Sequence, residues 1–446
     1  MDIRLGTEYI DSVYYGGVKV WPMKCVPYTV PADTSVLQFN RPILSECYID
    51  ASNVKTITFD NTIFNEYIAN EIPLVQDNFT NATPILNFNN NVNEIALVGN
   101  GVENICITKY PIEGTENFVY PDIELFHLDG SNNLSGCLFF GANKLRDVRI
   151  SGLNNILTNR QMFDGCSSLI NVELDDLNRT TTTQYMFRDC TNLTNVSFFN
   201  TADVAHSGYM FQNCTSLVTV PKFNFRADIN MTHMFDGCSS LETFPGFIIE
   251  KFNNTYMLKN VEYMFKDCTS LINVTKFETI NVKYMDSMFE GCSSIENVPN
   301  FNTGNVEYMN SIFSGCSSLI NAPSFDMSKV KYADYMFYNC SSLTNVPELD
   351  FSNLIVSYYD LMFYNCSSLT NVDGFVNLGQ AFTSATKFDL SRSPNLTRQS
   401  CLNIFNKAYN VSNKSFTCTI KLHSNVKSLL SSSDIAIATN KGWVIQ

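Results

Sequence analysis

Cysteine is the residue of this chain with the most obvious capacity for chemistry. A thiolate can ligate zinc, attack an electrophile or form a disulfide, and the chain holds 15 cysteines among 446 residues. Nine of them recur in one phrase, first complete at Met162 to Leu169, at intervals of 24, 24, 24, 30, 24, 24, 24 and 26 residues. The nine are Cys166, Cys190, Cys214, Cys238, Cys268, Cys292, Cys316, Cys340 and Cys366.

The spacing of these cysteines argues against thiol chemistry. A fixed period of about 20–50 residues is typical of a solenoid, in which each coil stacks on its neighbours. Such a ladder places one thiol per coil with parallel side chains, so three or four thiols do not converge on a metal ion. Neighbouring rungs also fail the Cβ separation of about 3.5–4.5 Å that a disulfide needs. We expect buried reduced thiols, and we predict no metal and no cofactor.

The residues around each cysteine predict the shape of one coil. The residue before it is Gly, Asn or Asp in every copy, and these types enter the left-handed conformation at the lowest cost and often end helices. Val282, Met285, Phe289 and Cys292 have the spacing of one face of a short helix. Leucine and valine then continue as an extended segment. The predicted coil is a short helix, a tight turn and a short strand.

The recurring phrase Met-Phe-x-x-Cys-x-x-Leu-x-x-Val resembles the cysteine-containing leucine-rich repeats of BspA-like surface proteins. The resemblance implies an α/β solenoid of 24-residue strand–helix coils, with the cysteine at an interior position. We place this array at residues 136–375, beginning with a degenerate coil that has Ala142 in the cysteine position. Residues 376–446 are predicted to form an α/β cap, with a helix capped by Thr397 that buries Leu402, Phe405 and Tyr409.

The region before the array is predicted to be rich in β-strands. Gly16-Gly17 indicates a hairpin within residues 1–24, which is either a simple lead into the next domain or an anchoring segment. The second option rests on resemblance to the segment that opens many bacteriophage tail and virion structural proteins. Its matching residues are Tyr15, Gly17, Val18, Val20, Trp21 and Pro22. Residues 25–135 are either a compact β-rich domain or degenerate early coils that cap the solenoid.

Composition and motifs exclude several classes of function. The net charge of −14, with no long basic run, argues against a nucleic-acid partner. No apolar run approaches the roughly 20 residues of a membrane span, and the first residues have no signal-peptide pattern, so we expect a soluble chain without its own secretion signal. The four histidines are scattered and no catalytic motif is present. We therefore predict that the chain is not an enzyme.

Three settings are compatible with these observations. The first is a structural protein of a bacteriophage virion, in the tail or fibre apparatus, that docks on other virion proteins by its N-terminus and displays the solenoid to a host-surface protein or glycan. The alternative is a BspA-like adhesin on the bacterial cell surface, and an intracellular scaffold is a third option. Self-association is compatible with each. The interval of 30 residues adds a loop that is a candidate binding loop or a neutral bulge, at Phe252, Asn253, Asn254 and Tyr256.

Overall fold

The computed structural model describes residues 139, 141–150, 159–174, 180–225, 230–249, 251, 253–355 and 359–446, together with the backbone of the strands before residue 130. The chain divides into two compact units. The first comprises Met1–Val204 and Asn213–Phe223, and the second comprises Ala205–Gln212 and Asn224–Gln446.

The first unit is built on an eight-stranded sheet of order β14-β13-β12-β9-β8-β6-β1-β2. Strands β6, β8, β9, β12, β13 and β14 pair in parallel, whereas β1 is antiparallel to β2 and β6. Parallel pairing of neighbouring strands is the arrangement found in stacked coils. The strands are β1 (Ile3–Leu5), β2 (Glu8–Ile10), β3 (Tyr14–Tyr15), β4 (Val18–Lys19), β5 (Tyr28–Thr29), β6 (Val36–Phe39), β7 (Ile49–Asp50), β8 (Thr56–Asp60), β9 (Glu94–Val98), β10 (Tyr110–Pro111), β11 (Phe118–Val119), β12 (Leu125–Asp129), β13 (Asp147–Ile150) and β14 (Asn171–Leu174).

The second unit continues the solenoid pattern with very short strands. Parallel pairs join β15 to β17, β16 to β18, β19 to β21 and β20 to β22, and a row of isolated parallel bridges runs from His206 through Asn230, Asn260, Tyr284 and Tyr308 to Tyr332. The strands are β15 (Asn224–Phe225), β16 (Thr243–Phe244), β17 (Ile248–Ile249), β18 (Asn273–Val274), β19 (Asn345–Val346), β20 (Leu349–Asp350), β21 (Asn371–Val372), β22 (Phe375–Val376), β23 (Thr386–Leu390), β24 (Cys418–Leu422) and β25 (Trp443–Ile445). The solenoid predicted from the period is confirmed in each unit.

The short helix predicted in each coil is wrong. In the described part of the array, the segment before each cysteine is a run of turns. The N–H groups of Tyr263, Phe265 and Asp267 donate to carbonyls of the following coil at 2.9, 2.9 and 2.7 Å. The alternating N–H groups of Met264 and Lys266 close turns onto the third residue before them. An α-helix needs every N–H directed to its fourth preceding carbonyl, so bonds between coils replace it.

Two left-handed residues in the coil produce this alternation. The Gly, Asn or Asp before each of the nine cysteines has a positive φ, between 56° and 78°, as predicted. A second positive φ occurs four residues earlier in eight coils, as at Tyr263, where φ is 57°. These eight coils therefore each contain two left-handed residues four positions apart, and a right-handed α-helix cannot include them.

The interior is a column of stacked phenylalanines. In the first unit, Phe139, Phe163 and Phe187 stack with centroids 5.3 and 5.2 Å apart. In the second unit, successive centroids lie 5.3–5.8 Å apart along Phe211, Phe235, Phe265, Phe289, Phe313, Phe337 and Phe363. Each such pair contributes about 0.5–1.5 kcal/mol beyond its burial. Ala142, in the cysteine position of the degenerate coil, is likewise buried.

The C-terminal segment forms a parallel sheet of β23, β24 and β25 with helices α1 (Arg398–Lys407), α2 (Ser424–Lys427) and α3 (Ser432–Thr439). Thr397 caps α1 as predicted, because its side chain accepts the N–H of Ser400. Of the predicted apolar face, Phe405 is buried as expected and Leu402 is half-buried, whereas the assignment of Tyr409 is wrong. Tyr409 lies beyond the end of α1 and is 41% exposed, and the face that is buried carries Cys401, Ile404 and Phe405. The cause is the extended backbone of Ala408, which ends the helix before a further turn forms.

Candidate functional site

The nine repeat cysteines are interior hydrogen-bond donors. Each is fully buried, and each is a thiol rather than a disulfide. The thiol of each coil donates to the phenylalanine carbonyl of the coil before it, as from Cys292 to Phe265 at 3.0 Å. The same contact, at 3.0–3.1 Å, occurs at Cys166, Cys190, Cys214, Cys238, Cys268, Cys316, Cys340 and Cys366. Sequence reasoning assigned these residues to packing alone and missed this bond.

Burial makes these thiols poor nucleophiles. Desolvation raises the pKa of Cys366 to about 12, and it raises the pKa of Cys190 and Cys316 well above the ordinary value. The thiolate is the reactive and metal-binding form, so its population at neutral pH is very small. In the part of the chain that the structure describes, no group of three or more His, Cys, Asp or Glu residues could hold a metal ion.

The predicted anchoring segment is described only in part. Strands β3 and β4 pair in antiparallel fashion, with Tyr15 opposite Val18. Gly17, Val20, Trp21 and Pro22 lie outside the described residues. The anchoring role stays a prediction.

The predicted binding loop lies beside the following coil. Phe252 is outside the described residues, whereas Asn253 and Asn254 are exposed and have φ angles of 49° and 63°. The carbonyl of Tyr256 accepts a hydrogen bond of 2.7 Å from the side chain of Asn281. These contacts fix one end of the loop on the solenoid, and its binding role stays a prediction.

An outward-facing column of aromatic rings marks the turn edge of the second unit. His233 lies between Tyr209 and Tyr263, with ring centroids 4.6 and 4.4 Å away and nearly parallel planes. Its Nδ1 is 2.7 Å from a carboxylate oxygen of Asp236. All three rings are half-buried. The next residue of the column is Ser287, so the stack of rings ends at Tyr263.

Carboxylates surround the end of this column. Glu262, Asp286 and Glu290 lie close enough to Tyr263 to raise its pKa, although burial of the phenol is the larger cause. Burial is also the main reason that the pKa of Asp286 rises to about 6, with Glu262 adding to the effect. The pKa of Asp267 is raised by burial and by neighbouring carboxylates.

We call this surface the Tyr263 patch. It consists of the rings of Tyr209, His233 and Tyr263, the carboxylates of Asp236, Glu262, Asp267, Asp286 and Glu290, and Lys266. Five carboxylates against one lysine leave it strongly negative.

A second aromatic column has a different electrostatic character. Tyr284, Tyr308 and Tyr332 stack with centroids 5.0 Å apart. Beside it, Glu307 forms ion pairs with Lys283 at 3.3 Å and Lys331 at 2.8 Å. Two lysines therefore face one carboxylate here, whereas carboxylates are in excess in the Tyr263 patch.

The columns were absent from the sequence-based prediction, although a signal for them exists. Tyr209, His233 and Tyr263 each lie five residues before a repeat cysteine. Alignment of the copies on their cysteines places the three rings in one row, and inspection of that row would have revealed the column. Sequence reasoning instead judged the histidines to be scattered.

Comparison with known proteins identifies the array. A family model described as "Mycoplasma protein of unknown function, DUF285" matches residues 133–245 and 259–375, together just over half of the chain. No curated protein matches. A leucine-rich repeat protein from Bacteroides ovatus is 15% identical, with a TM-score of 0.32 over 79% of this chain and 92% of that one. The Drosophila Toll–Spätzle complex is 12% identical, with a TM-score of 0.25 over 87% and 50%.

Within the described residues, no helix combines the length and the apolar character that crossing a bilayer requires.

Proposed function

We propose that this chain, which belongs to the DUF285 family of Mycoplasma proteins of unknown function, is a non-enzymatic solenoid that binds other proteins. The proposal is supported by the positions that the side chains of a coil occupy. Phenylalanines and cysteines fill the interior, whereas half-buried tyrosines form columns that face outward. Tyrosine is enriched in protein interfaces because it offers a large contact area at a low cost in conformational entropy.

Protein binding can be tested where the chain naturally occurs. Amine-reactive cross-linking in situ, followed by mass spectrometry, reports the neighbours of outward lysines such as Lys283 and Lys331. We expect cross-links from these two lysines to another protein. Cross-links confined to this chain, in an experiment that recovers internal pairs such as Lys283–Lys331, which both contact Glu307, would contradict the proposal.

The finer proposal is a bacteriophage virion, with the N-terminus docked on other virion proteins and the solenoid displayed from the tail or fibre apparatus. It is supported by the resemblance of the segment from Tyr15 to Pro22 to the start of phage structural proteins. Mass spectrometry of purified particles should find this chain at a fixed copy number. Its absence from particles would refute the virion setting and leave the binding proposal standing.

Display on the bacterial cell surface is the alternative. It is supported by the BspA-like phrase and by the family match, which cover the same coils. Brief protease treatment of intact cells should then release solenoid peptides. Release of these peptides only after lysis would exclude this setting.

A further inference from the structure

The negative charge of the Tyr263 patch is only partly compensated. Lys266 forms an ion pair with Glu290, at 3.2 Å. Glu262 and Asp286 accept hydrogen bonds from neutral groups instead, the amide of Asn260 at 2.7 Å and the backbone N–H of Asn310 at 2.6 Å. Within the described residues neither of these two carboxylates is in an ion pair, so both present negative charge beside an aromatic column.

The chain itself shows what kind of group this surface accepts. The ammonium of Lys266 lies 5.7 Å from the ring centroid of Tyr263 while it contacts Glu290. A cation held at once by a ring face and a carboxylate is stabilised by both the ring quadrupole and the ion pair. The same surface offers further carboxylates, at Glu262 and Asp286, to a second cation.

We propose that the Tyr263 patch is the docking site for a basic segment of a partner protein, whose arginine or lysine side chains pair with Glu262 and Asp286 and stack beside Tyr263. The inference rests on the proposed function, that the solenoid binds proteins, and adds the chemistry of the partner. Charge complementarity of this kind accelerates encounter and selects the partner.

Other occupants fit the patch less well. A second copy of this chain carries a net charge of −14 and no long basic run, so its approach is opposed by repulsion. A nucleic acid is repelled in the same way. A partner with a planar guanidinium has the further advantage of stacking on an aromatic ring, which an ammonium does less well.

The proposal is tested by binding of fluorescein-labelled nona-arginine to the full chain, followed by fluorescence anisotropy near physiological salt. The test variant combines Glu262→Gln with Asp286→Asn. The matched control combines Glu242→Gln with Glu296→Gln, two exposed residues outside the patch, and removes the same formal charge. We expect the test variant to bind about fivefold to tenfold more weakly and the control to stay within about twofold of the wild type.

A second variant examines the ring. Tyr263→Asn removes the ring but keeps a residue type that tolerates the positive φ of 57° at this position. We expect the wild type to prefer nona-arginine over nona-lysine, and the variant to lose that preference. Thermal melts of all variants show whether the fold is intact.

Two results would overturn the proposal: a test variant that binds as the wild type does, or a control that is weakened equally, which would show an effect of net charge alone. In either case the in situ cross-links would still report whether the solenoid binds a protein through another surface. The failure of this inference and the failure of the proposed function are therefore distinguishable.

Discussion

Asp286 should destabilise the folded chain at neutral pH. Its side chain is half-buried between coils, and one of its oxygens accepts the N–H of Asn310 at 2.6 Å. Burial and the nearby negative charge of Glu262 both raise its pKa. Burial without a cation penalises the carboxylate and raises its pKa from 3.8 to about 6. Replacement by asparagine keeps the shape and an oxygen that can accept the same hydrogen bond, and it removes the charge.

The size and sign of this effect follow from proton linkage. Because the pKa is higher in the folded state, that state binds the proton more tightly between pH 4 and 6, and stability falls as pH rises through this window. A shift from 3.8 to about 6 corresponds to about 3 kcal/mol, which solvent screening of a partly exposed group reduces to about 1–2 kcal/mol. Asp286→Asn should therefore raise the free energy of unfolding by about 1–2 kcal/mol at pH 8 and by nearly nothing at pH 4.

Urea unfolding followed by circular dichroism at several pH values measures this difference. Asp326→Asn is the matched control, because hydrogen bonds from Ser328 lower the pKa of Asp326. Asp326→Asn should lower the free energy of unfolding at pH 8, which is the opposite of the effect expected for Asp286→Asn. If Asp286→Asn lowered stability at pH 8, or changed it equally at pH 4 and pH 8, the argument from uncompensated burial would be refuted.

Three further predictions test the coil and the cap. The nine repeat cysteines should react with a thiol reagent only after unfolding, and fast labelling of most of them in the native chain would contradict their interior position. Gly315→Ala should lower stability by about 1 kcal/mol because its φ is +78°, whereas Gly304→Ala, outside the left-handed region, should change it much less in the same urea assay. Asp434→Asn should lower the melting temperature at pH 7, since Arg398 lowers the pKa of Asp434 to about 2. That difference should shrink as pH falls from 4 to 2, because the stabilisation is lost on protonation, and a constant difference would exclude the ion pair as its cause.

The sequence predicts the left-handed residue before each cysteine because a local rule decides it. Gly, Asn and Asp adopt positive φ at low cost, so their recurrence marks the position whatever surrounds it. The period likewise predicts stacked coils, since a repeat of this length buries its apolar residues only against its neighbours. The cap of α1 at Thr397 is another local feature, and it is confirmed.

The helix was predicted wrongly because the deciding contacts are not local. The spacing of Val282, Met285 and Phe289 suits one face of a helix, but Ser287 between them has a φ of 54°. Nothing about serine favours that angle. Its N–H donates to the carbonyl of Asn310 at 2.8 Å, in the next coil. Tertiary hydrogen bonds override the local periodicity here, and a single coil read alone cannot reveal them.

The same bonds explain how the surface columns can vary while the coil persists. At the position five residues before the cysteine, glutamine, tyrosine, histidine and serine all adopt φ between 53° and 62°. Such different side chains share one strained backbone angle, so the angle is imposed by the stack of coils and not by the residue type. The side chain at this position therefore does not determine the conformation of the turn. His233 and Ser287 occupy this position in the coils on either side of Tyr263. The chemistry of the surface can therefore differ from coil to coil while the backbone conformation stays the same.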